Sequence, residues 1–254
     1  MSNSVVNRIF SGKQERIENQ VADFLRKPGA LKDAEAYLNQ TKDHKYGNHE
    51  KWIKEKTVFT EYAGGPALLA EGENVLIIGN HNSFDVTQYK EDPAKAGMSM
   101  IHILGIPKKG IFNGVSLNHD TVSVIDETID LFKDKWETPD FRQKVLDYQK
   151  LAIKNRTSTE SFARRNDGLD PNPVLEAGDE AISHWKELKT GIHTLTFDDF
   201  TFGLHLWPDH SVGHLHLHII ATPDWCRQYS TLKHDEKTKD ALEVRDFIRG
   251  LAPV

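Results

Sequence analysis

Residues 214–220 read HLHLHII, and this alternation constrains the fold more than any other stretch of the chain. Successive side chains of a strand point to opposite faces. His214, His216 and His218 therefore share one face, and Leu215, Leu217 and Ile219 share the other. On a helix, at about 3.6 residues per turn, both sets would scatter around the axis. The segment is expected to be a strand whose leucine face meets the core and whose three imidazoles stand in a row on an accessible face.

The rest of the chain supplies elements to pack around such a strand. ENVLIIGN (73–80) and SMIHILGIPKK (99–109) read as strands, the second ended by Pro107, and HTLTFDDFTFGLHLW (193–207) as one or two more. Pro208 and Asp209 form a turn before the histidine strand. Residues 14 to about 56 read as polar and helical, with Ile17, Val21 and Phe24 in one narrow apolar stripe. Ile125, Ile129, Phe132 and Trp136 recur at helical spacing. Thr138 and Pro139 then form a cap and first turn for a helix carrying Phe141, Val145, Tyr148 and Ala152. The polar stretch 154–173 lacks periodicity and is expected to be a long loop. Asn172 and Pro173 open a further helix lined by Val174, Ala177, Ala181, Trp185 and Leu188, with Gly191 at its end, and a last helix is expected over about 235–250.

Three uses of the histidine row compete. A polar sheet face is the simplest, although serine, threonine and lysine serve it more commonly. Metal binding is the second. Two histidines at i and i+2 can share an ion, but the outer α-carbons of the three lie about 13 Å apart on an extended strand. A site would use two of them with a carboxylate or histidine from elsewhere. Asp209 and Asp224 are the nearest acidic residues, and each needs the chain to turn back. The third use is nucleophilic attack on phosphorus. Neutral imidazole is a good nucleophile near its ordinary pKa of about 6.5, and neighbouring imidazoles can donate N–H groups where charge develops.

HLHLHII matches the His-φ-His-φ-His-φ-φ pattern (φ apolar) at every position, and the chain resembles the histidine triad (HIT) superfamily. FGLHLWPDHSVG precedes the motif as a strand and turn do in that family. MIHILGIPKK (100–109) is similar to the family's H-φ-L-V-I-P-K-K strand, with His102 at its histidine and Gly105 in place of its valine. The resemblance covers about 73–112 and 174–222. It implies an α+β fold, an antiparallel sheet with packed helices, here with added helical segments. The expected organisation is an N-terminal helical extension (1–56), a HIT-like domain (57–222) with a helical insert at about 113–173, and a C-terminal helical extension (223–254).

The resemblance also implies roles. His216 would attack the α-phosphate of a nucleotide to form a covalent nucleotidyl-histidine, with His214 and His218 orienting it and contacting phosphate. Ser211 falls where many members place a phosphate-contacting serine. His210 stands where glutamine is frequent and can still donate a hydrogen bond. His102 would support the triad from the neighbouring strand. Asn80, His81, Asn82, Phe84 and Asp85 are candidates for the nucleoside pocket, Asp85 for ribose and Phe84 for stacking. Lys108 and Lys109 match the family's lysines. The single cysteine, Cys226, argues against the zinc-finger-bearing DNA-repair branch, the short N-terminal region against the scavenger decapping branch, and Leu215 against the His-Pro-His uridylyltransferases.

A nucleotidyl hydrolase or transferase is thus the expected activity, beside a metal-binding sheet protein and a nucleotide-binding module without turnover. No cofactor and no resident metal are expected. The expected partner is a small-molecule nucleotide, and a homodimer is among the expected assemblies. A net charge of −6 argues against nucleic acid. No apolar run approaches the ~18 residues of a membrane span, and no apolar signal core opens the chain, so a cytoplasmic protein is expected.

Overall fold

The computed structural model describes residues 9–10, 12–27, 29, 32, 34, 36, 59, 65–81, 83, 97–210, 212–228 and 233–252. Among these residues the fold is α+β, with one open antiparallel sheet of six strands and helices packed on it. The strands are β1 (Leu68–Glu71), β2 (Val75–Gly79), β3 (His102–Pro107), β4 (Phe200–His205), β5 (Leu217–Ala221) and β6 (Thr238–Asp240), in the spatial order β1-β2-β3-β5-β4-β6. The helices are α1 (Gln14–Arg26), α2 (Ser123–Trp136), α3 (Pro139–Asn166), α4 (Asn172–Gly191), α5 (Asp224–Arg227), α6 (Lys233–Lys237) and α7 (Ala241–Gly250).

The sheet register explains which side each residue takes. Leu217 pairs with Gly105 and Ile219 with Ile103, while Ile219 also faces Phe202 across β4. This face carries the main core, in which Phe132, Trp136, Phe200 and Ile219 are fully shielded from solvent. Trp136 stacks edge-on to Phe200 at 4.4 Å between centroids, and its Nε1–H donates to the Leu195 carbonyl at 3.0 Å. Such rings are worth about 1.5–3 kcal/mol each in buried apolar area. Gly105 has a packing reason: a Cβ there would run into Thr128 of α2, so the missing side chain lets the helix lie close to the sheet. The family's valine would not fit this arrangement.

The expected helices at 123–136 and from 139 are present. Thr138 caps α3 by accepting from the Phe141 amide, and Pro139 occupies its first turn. Ile17, Val21 and Phe24 are buried on α1, as the stripe predicts. The remainder of the expected 14–56 helical region lies almost wholly outside the described residues.

Two expectations are corrected. Residues 154–173 are not a long loop, because α3 continues to Asn166 and packs against α4. Its contact there is made of small and polar residues: Ser161 is buried, and Thr157 sits where a Cβ on Gly178 would be. A crossing built from Ser, Thr, Gly and Ala leaves no apolar periodicity to read, while Lys, Arg, Glu and Ala supply helix propensity. The last helix is also shorter than expected. It begins at Ala241, capped by Asp240, whose carboxylate accepts from Leu242 and Glu243 at 2.9 and 3.0 Å. Residues 238–240 pair with β4 instead, extending the sheet by an edge strand.

Candidate functional site: a buried histidine cluster

The opposite sheet face holds the histidines. His102 pairs with Ile220 and Leu104 with His218, while His218 faces Gly203 on β4, which puts His102, His218 and His205 on one side. His216 enters this cluster just before β5, and His214 precedes it in an isolated bridge with Phe112. The expectation of an accessible row is corrected here. His214 is 0% exposed, His216 7% and His218 6%. Phe59 lies edge-on to His214 and His216 at 5.7 and 5.5 Å, while Phe10 and Met98 pack on Ile220 of the same face. The face is therefore an interior layer, and the row is not flat: pairing with β3 and β4 begins only at Leu217.

Backbone carbonyls accept only, so two tautomers follow directly. His216 donates its Nδ1–H to the His214 carbonyl at 2.8 Å, which leaves a lone pair on Nε2. His214 donates its Nε2–H to the Pro107 carbonyl at 3.0 Å, which commits that ring to structure. A third tautomer follows from Asn80. Its amide Nδ2 lies 3.3 Å from His102 Nδ1, which must accept. His102 Nε2–H then donates to His218 Nδ1 at 2.7 Å, and the proton of neutral His218 sits on Nε2. That Nε2 is buried and has no hydrogen-bond partner among the described residues.

His205, at the end of β4, completes the group. The Thr238 hydroxyl donates to the His234 carbonyl at 2.6 Å, so it accepts from His205 Nε2–H at 3.0 Å, and the Nδ1 lone pair is left free to face its neighbours. The ring centroids of His205 and His218 are 4.4 Å apart, and those of His216 and His218 4.8 Å. One ring nitrogen from each of His205, His216 and His218 lies within 4.8 Å of the others.

Burial sets the protonation of all five rings. It lowers His102 and His214 to about 3 and His205 to about 2, and takes His218 well below its ordinary value. His216 is lowered too, first by burial and then by the charges of His210 and Lys237, against the raising effect of its bond to the His214 carbonyl. These imidazoles are neutral at pH 7. The arrangement thus presents one fixed lone pair and one fixed N–H among buried imidazoles, with the charge of Lys237 bearing on His216, a set suited to attack on an electrophile that carries negative charge.

The predicted residues divide clearly. The structure brings His102, His216 and His218 together, with His210 close enough for its charge to bear on His216 and its ring edge-on to Phe112 at 5.5 Å. Asn80 reaches the cluster through His102, as an orienting group behind the imidazoles. His81 lies against Tyr148, its Nδ1 3.2 Å from the phenol oxygen. Lys108 pairs with Glu71 at 3.1 Å. Ser211, Asn82, Phe84 and Asp85 lie outside the described residues. His205, Thr238 and Lys237 were missed. His205 carried a signal: in TFGLHL, Thr201, Gly203 and His205 alternate with Phe202, Leu204 and Leu206, the same period-two pattern as the triad. No family model, no curated protein and no solved structure matches the chain.

Proposed function

We propose that the protein is a nucleotidyl hydrolase or transferase of the histidine triad type, with His216 as nucleophile. One observation carries the reading: the Nδ1–H of His216 is held by the His214 carbonyl at 2.8 Å, which leaves Nε2 unprotonated on a fixed ring whose centroid lies 4.8 Å from that of His218. A nucleophile needs that lone pair fixed in orientation, and a merely polar sheet face does not. The α+β architecture and the placement of His102 behind His218 agree with the family resemblance.

In the proposed mechanism, His216 Nε2 attacks the α-phosphorus of a nucleotide. The new N–P bond forms as the bond to the leaving group breaks, and the leaving group takes a proton from solvent or from a nearby donor. The imidazolium formed keeps its Nδ1–H on the His214 carbonyl, whose dipole stabilises the new positive charge. His218 Nε2–H, held in its tautomer by His102 and Asn80, donates to a non-bridging oxygen. Lys237 offsets part of the phosphate charge. Water then attacks phosphorus in hydrolysis, or a second nucleophile does so in transfer, and His216 departs as a neutral base.

The test is a panel of adenosine and guanosine phosphoramidates and dinucleoside polyphosphates, run with wild type and His216→Ala in the presence of chelator. Wild type should yield a nucleotidyl mass on the 214–220 peptide that acid removes, and His216→Ala should yield none. No adduct on any substrate would sink the reading. Turnover that chelation abolishes and added metal restores would do so equally.

A further inference from the structure

We infer that His205, His216 and His218 form a binding site for one divalent transition ion of the zinc class. The three side chains come from the end of β4, the approach to β5 and β5 itself, and one nitrogen of each lies within 4.8 Å of the others. It is the one group of three potential ligands brought this close among the described residues. By the tautomers derived above, His216 has a free lone pair on Nε2 and His205 on Nδ1. His218 Nε2 is buried and without a hydrogen-bond partner among the described residues, a condition that is costly in a protein interior unless a ligand meets it.

The geometry is within reach of such an ion. Tetrahedral zinc at about 2.0–2.1 Å from each nitrogen needs ligand nitrogens about 3.3 Å apart, which asks for small ring rotations. Three neutral imidazoles leave the ion its charge and a fourth position for an exchangeable ligand. Imidazole donors favour zinc, copper, nickel and cobalt over magnesium or calcium.

Binding would also reset the hydrogen bonds behind the site. His218 Nε2 must give up its proton to become a ligand, so His218 Nδ1–H would donate to His102 Nε2. His102 Nδ1–H would then face Asn80, which must present its amide oxygen in place of its nitrogen. Asn80 therefore decides between two states: its NH₂ favours a proton-donating His218, and its oxygen favours a metal-ligating one. The ion and the proposed nucleotidyl adduct both use His216 Nε2 and exclude each other. Only that exclusion rests on the nucleotidyl reading, and the site itself does not.

The test uses the full chain, stripped with chelator, desalted and titrated with cobalt(II) chloride without nucleotide. The expected result is a single ion per chain and the intense visible bands of a four-coordinate nitrogen-ligated cobalt. His205→Gln should weaken binding by about tenfold or more and abolish those bands. Asn80→Asp should act in the opposite direction. Its carboxylate accepts from His102 Nδ1–H and favours the ligating tautomer of His218, so cobalt should bind about tenfold more tightly. A gain in affinity cannot arise from misfolding. Weak six-coordinate cobalt spectra in wild type would overturn the inference, as would both variants binding like wild type. A nucleotidyl adduct formed in chelator with no such cobalt site would leave the enzyme reading intact and remove the metal one.

Discussion

Lowering the pH from 7.5 to 5.5 should destabilise the protein by about 4 kcal/mol through its buried histidines. His102, His205 and His214 titrate near 3, 2 and 3 when folded, chiefly because burial disfavours their charged forms. Unfolded, they titrate near 6.5. Each has its folded value depressed, so the unfolded state binds more protons across the interval and stability falls as pH falls. The loss begins near pH 6.5 and continues towards the folded values. Between one unit above and one unit below 6.5, each ring costs about 1.4 kcal/mol, and three cost about 4. The figure is insensitive to the folded value, since any value below about 4.5 gives nearly the same cost. His216 and His218 act in the same direction. Domain stabilities lie at about 5–15 kcal/mol, so the loss would be a large share of the total. Urea unfolding at several pH values, in chelator so that no metal contributes, reads it directly. His214→Gln keeps a donor for the Pro107 carbonyl and removes one titrating ring, so its loss should be smaller by about 1.4 kcal/mol. A stability that changes by less than about 1 kcal/mol over this range would refute the argument.

The same depressed value of His216 predicts that adduct formation holds its rate from pH 7.5 to 6 in single-turnover mass spectrometry, because the ring stays neutral; a decline centred near 6.5 would contradict this. Gly105→Ala should cost about 1–3 kcal/mol by pushing Thr128 and α2 off the sheet, and Thr128→Ala should recover part of it in a double-mutant cycle measured by urea unfolding. Trp136→Phe should cost about 1–3 kcal/mol in thermal or urea unfolding, since it leaves the Leu195 carbonyl without its donor in the core; no change would mean that the bond contributes nothing.

The sequence made the strand at 217–221 legible because both of its faces are specified residue by residue: Leu217 and Ile219 against α2 and β4, His218 against His102. His102 was singled out through the resemblance of MIHILGIPKK to a strand of the histidine triad family. The sequence did not reveal that the histidine face is buried. That depends on Phe10, Phe59 and Met98 folding over it from distant parts of the chain, and no local pattern encodes such a cover. His205 was readable by its alternation with Phe202 and Leu204 but became part of the site only through the register that sets Gly203 beside His218. Thr238, in a three-residue edge strand of polar sequence, left no periodic trace. The end of α3 was hidden for a similar reason, its packing being made by Thr157 and Ser161 against Gly178.

The placement of β5 between β3 and β4 has a consequence during synthesis. His102 and its partner His218 are separated by 116 residues, including the 28-residue α3 and the 20-residue α4. A growing chain can close the β2–β3 hairpin early, because that pairing is local. It must then carry the far edge of β3, HILGIP, with unpaired backbone groups until residues 217–221 leave the ribosome. An open apolar edge is a template for pairing with other chains. Chains cut short anywhere between β3 and β5 should therefore aggregate through that edge as well as lack the histidine cluster, and β5 serves the nascent protein as an edge guard before it serves the folded one as a source of imidazole.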